Sequence, residues 1–110
     1  MEGTKHDDGK LPMHLIPLEA LEGVARVMGF GAKKYGDYNW MCGFNASRLY
    51  AATLRHLFAY WKGSNADKES SLHPLDHAIA ELMMLRSLIE RGSLRDDRPL
   101  RSERPYNELL

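Results

Sequence analysis

Three side chains able to hold a metal ion or move a proton fall within one helical turn in this sequence: His73, Asp76 and His77, with Glu81 four residues further on. Residues three and four apart share a helix face, so imidazole and carboxylate converge there if the stretch is helical. Such a set can bind a divalent cation. The same spacing equally serves a solvated helical face, or a cap network with His73 at the helix start and Asp76 three positions in. Two further acids, Glu19 and Glu22, are three apart; Glu22 can pair with Arg26, whereas Glu19 has no such partner and is the better placed to act as ligand or base. Between residues 47 and 62 there is no acidic residue, and Arg48, Arg55, His56 and Lys62 could clamp phosphates with their donors. Tyr35, Tyr38, Asn39 and Trp40 could stack on and hydrogen-bond a nucleobase, or simply cap a small core. The run Gly29 to Gly36 has the glycines of a phosphate loop but lies inside and at the end of a helical pattern. Lys33 and Lys34 then read as ordinary C-terminal helix charges.

The elements that position these groups are helices. From Pro17 to Tyr35 the residues Leu18, Leu21, Ala25, Met28, Ala32 and Tyr35 keep steps of three and four, with Gly36 as the stop. Gly23, Gly29 and Gly31 within it suit close packing of another backbone. A second helix is expected from Ser47 to Lys62, ended by Gly63, with Tyr50, Leu54, Leu57 and Trp61 as its apolar stripe. A third is expected from Pro74 to Arg91, with His73 as cap, Gly92 as stop, and Leu75, Ala78, Leu82, Leu85 and Ile89 as its stripe. Ile79, Met83 and Leu88 widen that stripe beyond what one partner helix covers. The fold class is therefore all-α, a small bundle of about three main helices with irregular N- and C-terminal segments, completed by oligomerisation to a dimer or tetramer. Residues 1–91 form the helical domain, and 92–110, where Arg alternates with Asp, Glu and Pro, form a polar tail or docking arm.

Composition narrows the function classes. The 110 residues carry 15 Lys and Arg against 15 Asp and Glu, so no excess of positive charge draws the chain to duplex nucleic acid or an anionic membrane. No apolar run approaches a membrane span, and the start of the chain lacks a signal-peptide layout, which predicts a cytoplasmic protein. The single cysteine, Cys42, has no partner for a redox or zinc pair and reads as a small, partly buried residue.

Taken together, Lys5 to Lys10 (Lys-His-Asp-Asp-Gly-Lys), Leu15 to Glu22, Phe30 to Gly36, Asn39-Trp40, Ser47 to Tyr50, Leu54 to His56 and Asp67 to Ser70, with His73 and His77, resemble the phage-type dATP/dGTP diphosphohydrolases. That family is similar to the all-α MazG nucleotide pyrophosphohydrolases. The resemblance spans about residues 5–90. It implies cleavage of a purine nucleoside triphosphate to monophosphate and pyrophosphate with a divalent metal, Mg2+ or Mn2+, in the host cytoplasm if the chain is phage-encoded. Of the family's site residues only Asp76 is carried over by the motif; with replacements drawn from this chain, catalysis is expected of Asp76, Glu19 and His56, and metal binding of His73, Asp76, His77, Glu69 and Glu22. Lys10, Lys33, Lys34, Asn39, Trp40, Arg48 and Arg55 would meet the purine nucleotide. MazG-like enzymes hold magnesium with Glu-Glu-x-x-Glu on one helix and Glu-x-x-Asp on the next. Here Ala51, Ala52 and Arg55 stand at the first set of positions, and His73 to Asp76 keeps the second spacing with His for Glu. A nitrogen-rich replacement set favours manganese or another transition metal over magnesium. The missing acids also support an alternative, a phage sponge that sequesters a nucleotide or nucleotide-derived signal without cleaving it, and beyond that a plain helical assembly module.

Overall fold

The computed structural model describes residues 2–100. Three α-helices carry the architecture: α1 (Leu18–Tyr35), α2 (Ala46–Trp61) and α3 (Pro74–Arg91), with short 3-10 turns at Met13–Leu15 and Asn39–Cys42. All three ends follow from glycine, at Gly36 (φ 95°), Gly63 (φ 106°) and Gly92 (φ 70°), where the left-handed backbone halts the helix. The start of α3 is also as its residues dictate. Pro74 needs no N–H partner in the first turn, and His73 Nδ1 accepts the Leu75 N–H at 3.0 Å.

Helix α3 is the element against which both others pack, α2 more extensively than α1. Which faces they bury differs from the sequence expectation on α1 and α2 and in part on α3, where Ala78 and Leu88 are buried as expected. On α1 the buried residues are Gly23, Val24 and Val27, while Leu18, Leu21 and Tyr35 are exposed. On α2 they are Ala46, Leu49 and Thr53, and Trp61 is 86% exposed. On α3 the interior line runs through His77, Ala78, Glu81 and Leu88, whereas Leu82 and Ile89 are about half exposed, at 49% and 53%. The reason is shape and polarity. Small residues (Gly23, Ala46, Ala78, Ala80) let the helices approach closely, and the interior face carries a polar network that must be shielded from water to persist. Other large apolar residues, among them Leu21, Phe58 and Leu82, are left facing outward.

The glycines of α1 also divide. At Gly23 an added Cβ would collide with the carboxyl group of Asp76, so the close approach there comes from a side chain of α3. At Gly29 and Gly31 nothing lies within 4 Å. Cys42 is exposed, contrary to its expected partial burial.

No local side chain caps α2: Asn45 precedes it but makes no capping bond. The missing acceptor arrives from beyond α3. Asp97 Oδ1 accepts the Ser47 N–H at 2.8 Å, its other oxygen accepts the Ser47 hydroxyl, and Asn45 Oδ1 takes the Arg95 Nε–H at 2.8 Å. Backbone bonds from Ala46 N to Arg95 O (2.9 Å) and Arg95 N to Phe44 O (3.1 Å) form an isolated parallel bridge, with no strand among the described residues. Residues 93–99 thus lie along the start of α2.

Candidate functional site

The turn after α2 is organised by Asp67. Its Oδ2 accepts the N–H groups of Glu69 (3.1 Å) and Ser70 (3.0 Å) and lies 3.1 Å from the Ser70 hydroxyl oxygen, an Asx-type turn. This fixes the carboxylate against two histidines delivered by different helices. His56 comes from the last turns of α2, and its Nε2 lies 3.5 Å from Asp67 Oδ1. His77 comes from the first turn of α3, with Nε2 2.7 Å from Ser70 Oγ and 3.9 Å from Asp67 Oδ2. The two imidazoles stack with centroids 4.5 Å apart and planes 11° from parallel. Behind them Glu81, 8% exposed, approaches His56 Nδ1 at 3.0 Å. Phe30 of α1 meets His77 edge to face at 6.4 Å.

Electrostatics set the charge states. Burial and the neighbouring His56 hold His77 below the ordinary imidazole value, with Asp67 opposing, so His77 favours the neutral ring. Burial raises the Glu81 carboxyl, opposed by His56 and by Thr53. Burial would raise Asp67 too, but the donors from Ser70 and Glu69 prevail and hold it below the usual carboxylate range. Among the described residues, His56, Asp67 and His77 are the group whose ligand atoms lie within 4.8 Å of one another.

Of the residues singled out from the sequence, the structure brings His56, His77 and Glu81 together here. The others lie elsewhere. His73 spends its Nδ1 on the helix cap, with Tyr60 beside its ring at 5.6 Å. Asp76 packs over Gly23, close enough for its charge to act on His77. Glu69 is exposed and ion-paired with Lys34, and Glu19 and Glu22 are exposed on α1. None of these five acids and imidazoles joins a group of three ligands among the described residues, and of the expected metal set of His73, Asp76, His77, Glu69 and Glu22, His77 is the member in the cluster. The i, i+3, i+4 spacing failed as a guide because His73 stands outside the helix proper and Asp76 points to α1. The sequence reading gave no site role to Asp67 or Ser70, and it placed Glu81 on the His73–His77 face without assigning it a role. For Glu81 a signal existed, a glutamate one turn from His77 on the line that includes buried Ala78.

A second feature adjoins the same helix. Residues Tyr35, Tyr38, Asn39, Trp40 and Phe44, with Met28 and Met84, wall a cavity of about 350 Å³, and Gly29 and Gly31 leave its α1 side open. Asn39 and Trp40 both stand in this wall, and Arg91 lies over the Trp40 ring at 5.6 Å. Lys10, Lys33, Arg48 and Arg55 are exposed; Arg48 lies over Phe44 at 5.5 Å, and the charge of Arg55 reaches Glu81.

Comparison with known proteins gives a consistent picture. A family model described as "dATP/dGTP diphosphohydrolase, N-terminal" matches residues 1–98, which takes in the segment beyond α3. A protein of Salmonella phage PMBT28 named dATP/dGTP diphosphohydrolase is 40% identical over 98 residues, covering 89% of this chain and 33% of that relative. The chain thus spans about a third of the length of the relative it matches. No solved structure matches significantly. With nearly the whole of its described length matched, this chain belongs to the dATP/dGTP diphosphohydrolase N-terminal family.

Proposed function

We propose that the chain binds a purine deoxynucleoside triphosphate, base in the aromatic cavity and phosphates toward His56, Asp67 and His77, and hydrolyses it to monophosphate and pyrophosphate. The observation carrying this reading is that one stretch of α1, residues 27–35, walls the cavity and also sets Phe30 against His77. The cavity size falls within the range of small-molecule sites, and its aromatic wall with one amide suits a planar heterocycle. The name of the phage relative supports the substrate class.

The residues divide the work by chemistry. Asn39 offers a donor and an acceptor to the base edge while Trp40 and Tyr38 supply ring faces. His56, Asp67 and His77 are the groups that would hold a divalent cation, which when bound supplies charge neutralisation at phosphate oxygens and a more acidic water. Asp67 Oδ1 orients water for in-line attack on the α phosphate. Lys33, Arg48 and Arg55, with Lys10 from the N-terminal segment, are the exposed cations available to the departing pyrophosphate. The chain works as a homo-oligomer that covers the outward apolar residues of α3.

One observation favours a second reading, sequestration without cleavage: Ala51, Ala52 and Arg55 occupy the α2 positions where MazG-like enzymes carry acids. Incubating the chain with a panel of deoxy- and ribonucleoside triphosphates plus Mg2+ or Mn2+, followed by chromatography, separates the two. Hydrolysis yields monophosphate and pyrophosphate and is abolished in Asp67→Asn. Intact triphosphate recovered from a tight complex would replace catalysis by sequestration.

A further inference from the structure

The hydrogen bonds around His56 determine which of its nitrogens bears hydrogen. Its Nδ1 faces two acceptors, the Ala52 carbonyl at 3.1 Å and the Glu81 carboxylate at 3.0 Å, so Nδ1 is the donor nitrogen. The lone pair of the neutral ring then resides on Nε2, and Nε2 faces the Asp67 carboxylate at 3.5 Å. Two acceptors aimed at one another need a donor or a cation between them, and a proton, a water donating to both or a metal ion can fill that place. Asp67 is built for the last. Its Oδ2 is held by the Glu69 and Ser70 N–H groups of the turn, while Oδ1 is the oxygen turned toward His56. His77, 8% exposed, brings a second imidazole nitrogen to the same place, and its Nε2 carries the lone pair in the tautomer that takes the single hydrogen of the Ser70 hydroxyl, 2.7 Å away.

We infer that His56, Asp67 and His77 form a binding site for a first-row transition-metal dication, with Glu81 as the residue that locks His56 in the metal-presenting tautomer. Two imidazoles and one carboxylate suit Mn2+, Co2+ or Zn2+, whereas Mg2+ prefers an all-oxygen octahedron and gives up its water reluctantly. The pairing of Glu81 with the far nitrogen of His56 is the carboxylate–histidine–metal arrangement in which the outer partner orients the ring and raises its basicity. Glu81 is a positioning residue and touches no metal itself. The inference deepens the hydrolytic reading by naming the metal class, and it is tested without nucleotide, so a chain that binds metal and cleaves nothing retains it while losing the other.

The test is titration of the whole chain with Mn2+, Co2+ and Mg2+ separately, by calorimetry and, for Co2+, by visible absorption. One ion per chain is expected, with Mn2+ and Co2+ held at least about tenfold more tightly than Mg2+. Asp67→Asn should weaken Co2+ binding by more than about tenfold, and Glu81→Gln by about 10–100-fold with an altered Co2+ spectrum. His73→Asn, which preserves a capping side chain, should leave it unchanged. Should the buried variants misfold, paramagnetic broadening by Mn2+ in the wild-type chain must still strike the His56 and His77 ring signals before those of His6, His14 and His73. Absence of binding, equal affinity for Mg2+, or broadening centred on His73 would each overturn the inference and leave the cluster a proton- or water-bridged hydrogen-bond network.

Discussion

Replacing the three glycines inside α1 by alanine, one at a time, measures how closely that helix meets α3. Glycine in a helix interior is less favourable than alanine by about 0.8–1.0 kcal/mol, so each replacement begins with the same gain. At Gly29 and Gly31 the new methyl meets nothing within 4 Å, and the gain should appear undiminished. A gain of this size raises Tm by about 4 °C in a chain of this length. At Gly23 the methyl collides with the carboxyl carbon and both oxygens of Asp76. Overpacking of that kind costs about 1–3 kcal/mol, which offsets the intrinsic gain and leaves Gly23→Ala between neutral and about 2 kcal/mol destabilising. Urea and thermal melts of the three variants, repeated in an Asp76→Ala background, complete the cycle. With the carboxyl removed, Gly23→Ala should come within about 0.5 kcal/mol of Gly31→Ala. If Gly23→Ala stabilises the parent chain as much as Gly31→Ala does, the α1–α3 packing argued above is wrong.

Three other outcomes follow from the same geometry. Because the folded-state value of His77 is depressed by burial and by His56, the unfolded chain takes up the proton first, so stability should decline as pH falls from about 6.5, the ordinary imidazole value, toward the folded value; denaturant melts from pH 7.5 to 5 should show this, and His77→Gln should flatten the decline. Trp40→Ala should weaken nucleotide binding, by about 1–3 kcal/mol if a base stacks on the ring, while leaving the turnover rate at saturation little changed; steady-state kinetics that showed lost turnover with unchanged KM would remove Trp40 from base recognition. Light scattering should find a mass above the 12.6 kDa of one chain, and Leu82→Glu or Met83→Glu should reduce it, whereas a concentration-independent monomer would leave their exposed faces without the expected partner.

Helix number and ends were legible because they depend on short-range chemistry: glycine after Tyr35, Lys62 and Arg91, and proline at the start of α3. The buried faces were not. Counting apolar residues selects Leu82 and Ile89 on α3, yet the interior line passes through His77 and Glu81, two residues that only long-range partners make burial-compatible. His56 and Asp67 are eleven residues apart across a turn, and no helical period relates them. What joins them is the Asx turn at Asp67, whose Ser70 also reaches His77. His56 and His77 were identifiable as reactive types, but their common partner required the loop geometry. Asn39 and Trp40 were selected for their chemistry alone, and they line one cavity because the 3-10 turn places them beside the open glycine side of α1.

The capping of α2 by Asp97 makes the order of synthesis matter. The first turn of α2 has its side-chain acceptor 50 residues downstream of Ser47, so a growing chain emerges with that turn unsatisfied until α3 and residues 93–99 have also been made. The helix that delivers His56 therefore begins to hold its full length only when nearly all of the matched region exists, a non-local closure of the kind that slows folding and ties its completion to one late step. A fragment ending at Arg91 would keep all three helical sequences yet fray at Ala46 and Ser47, and amide exchange there should be fast in the fragment and slow in the whole chain.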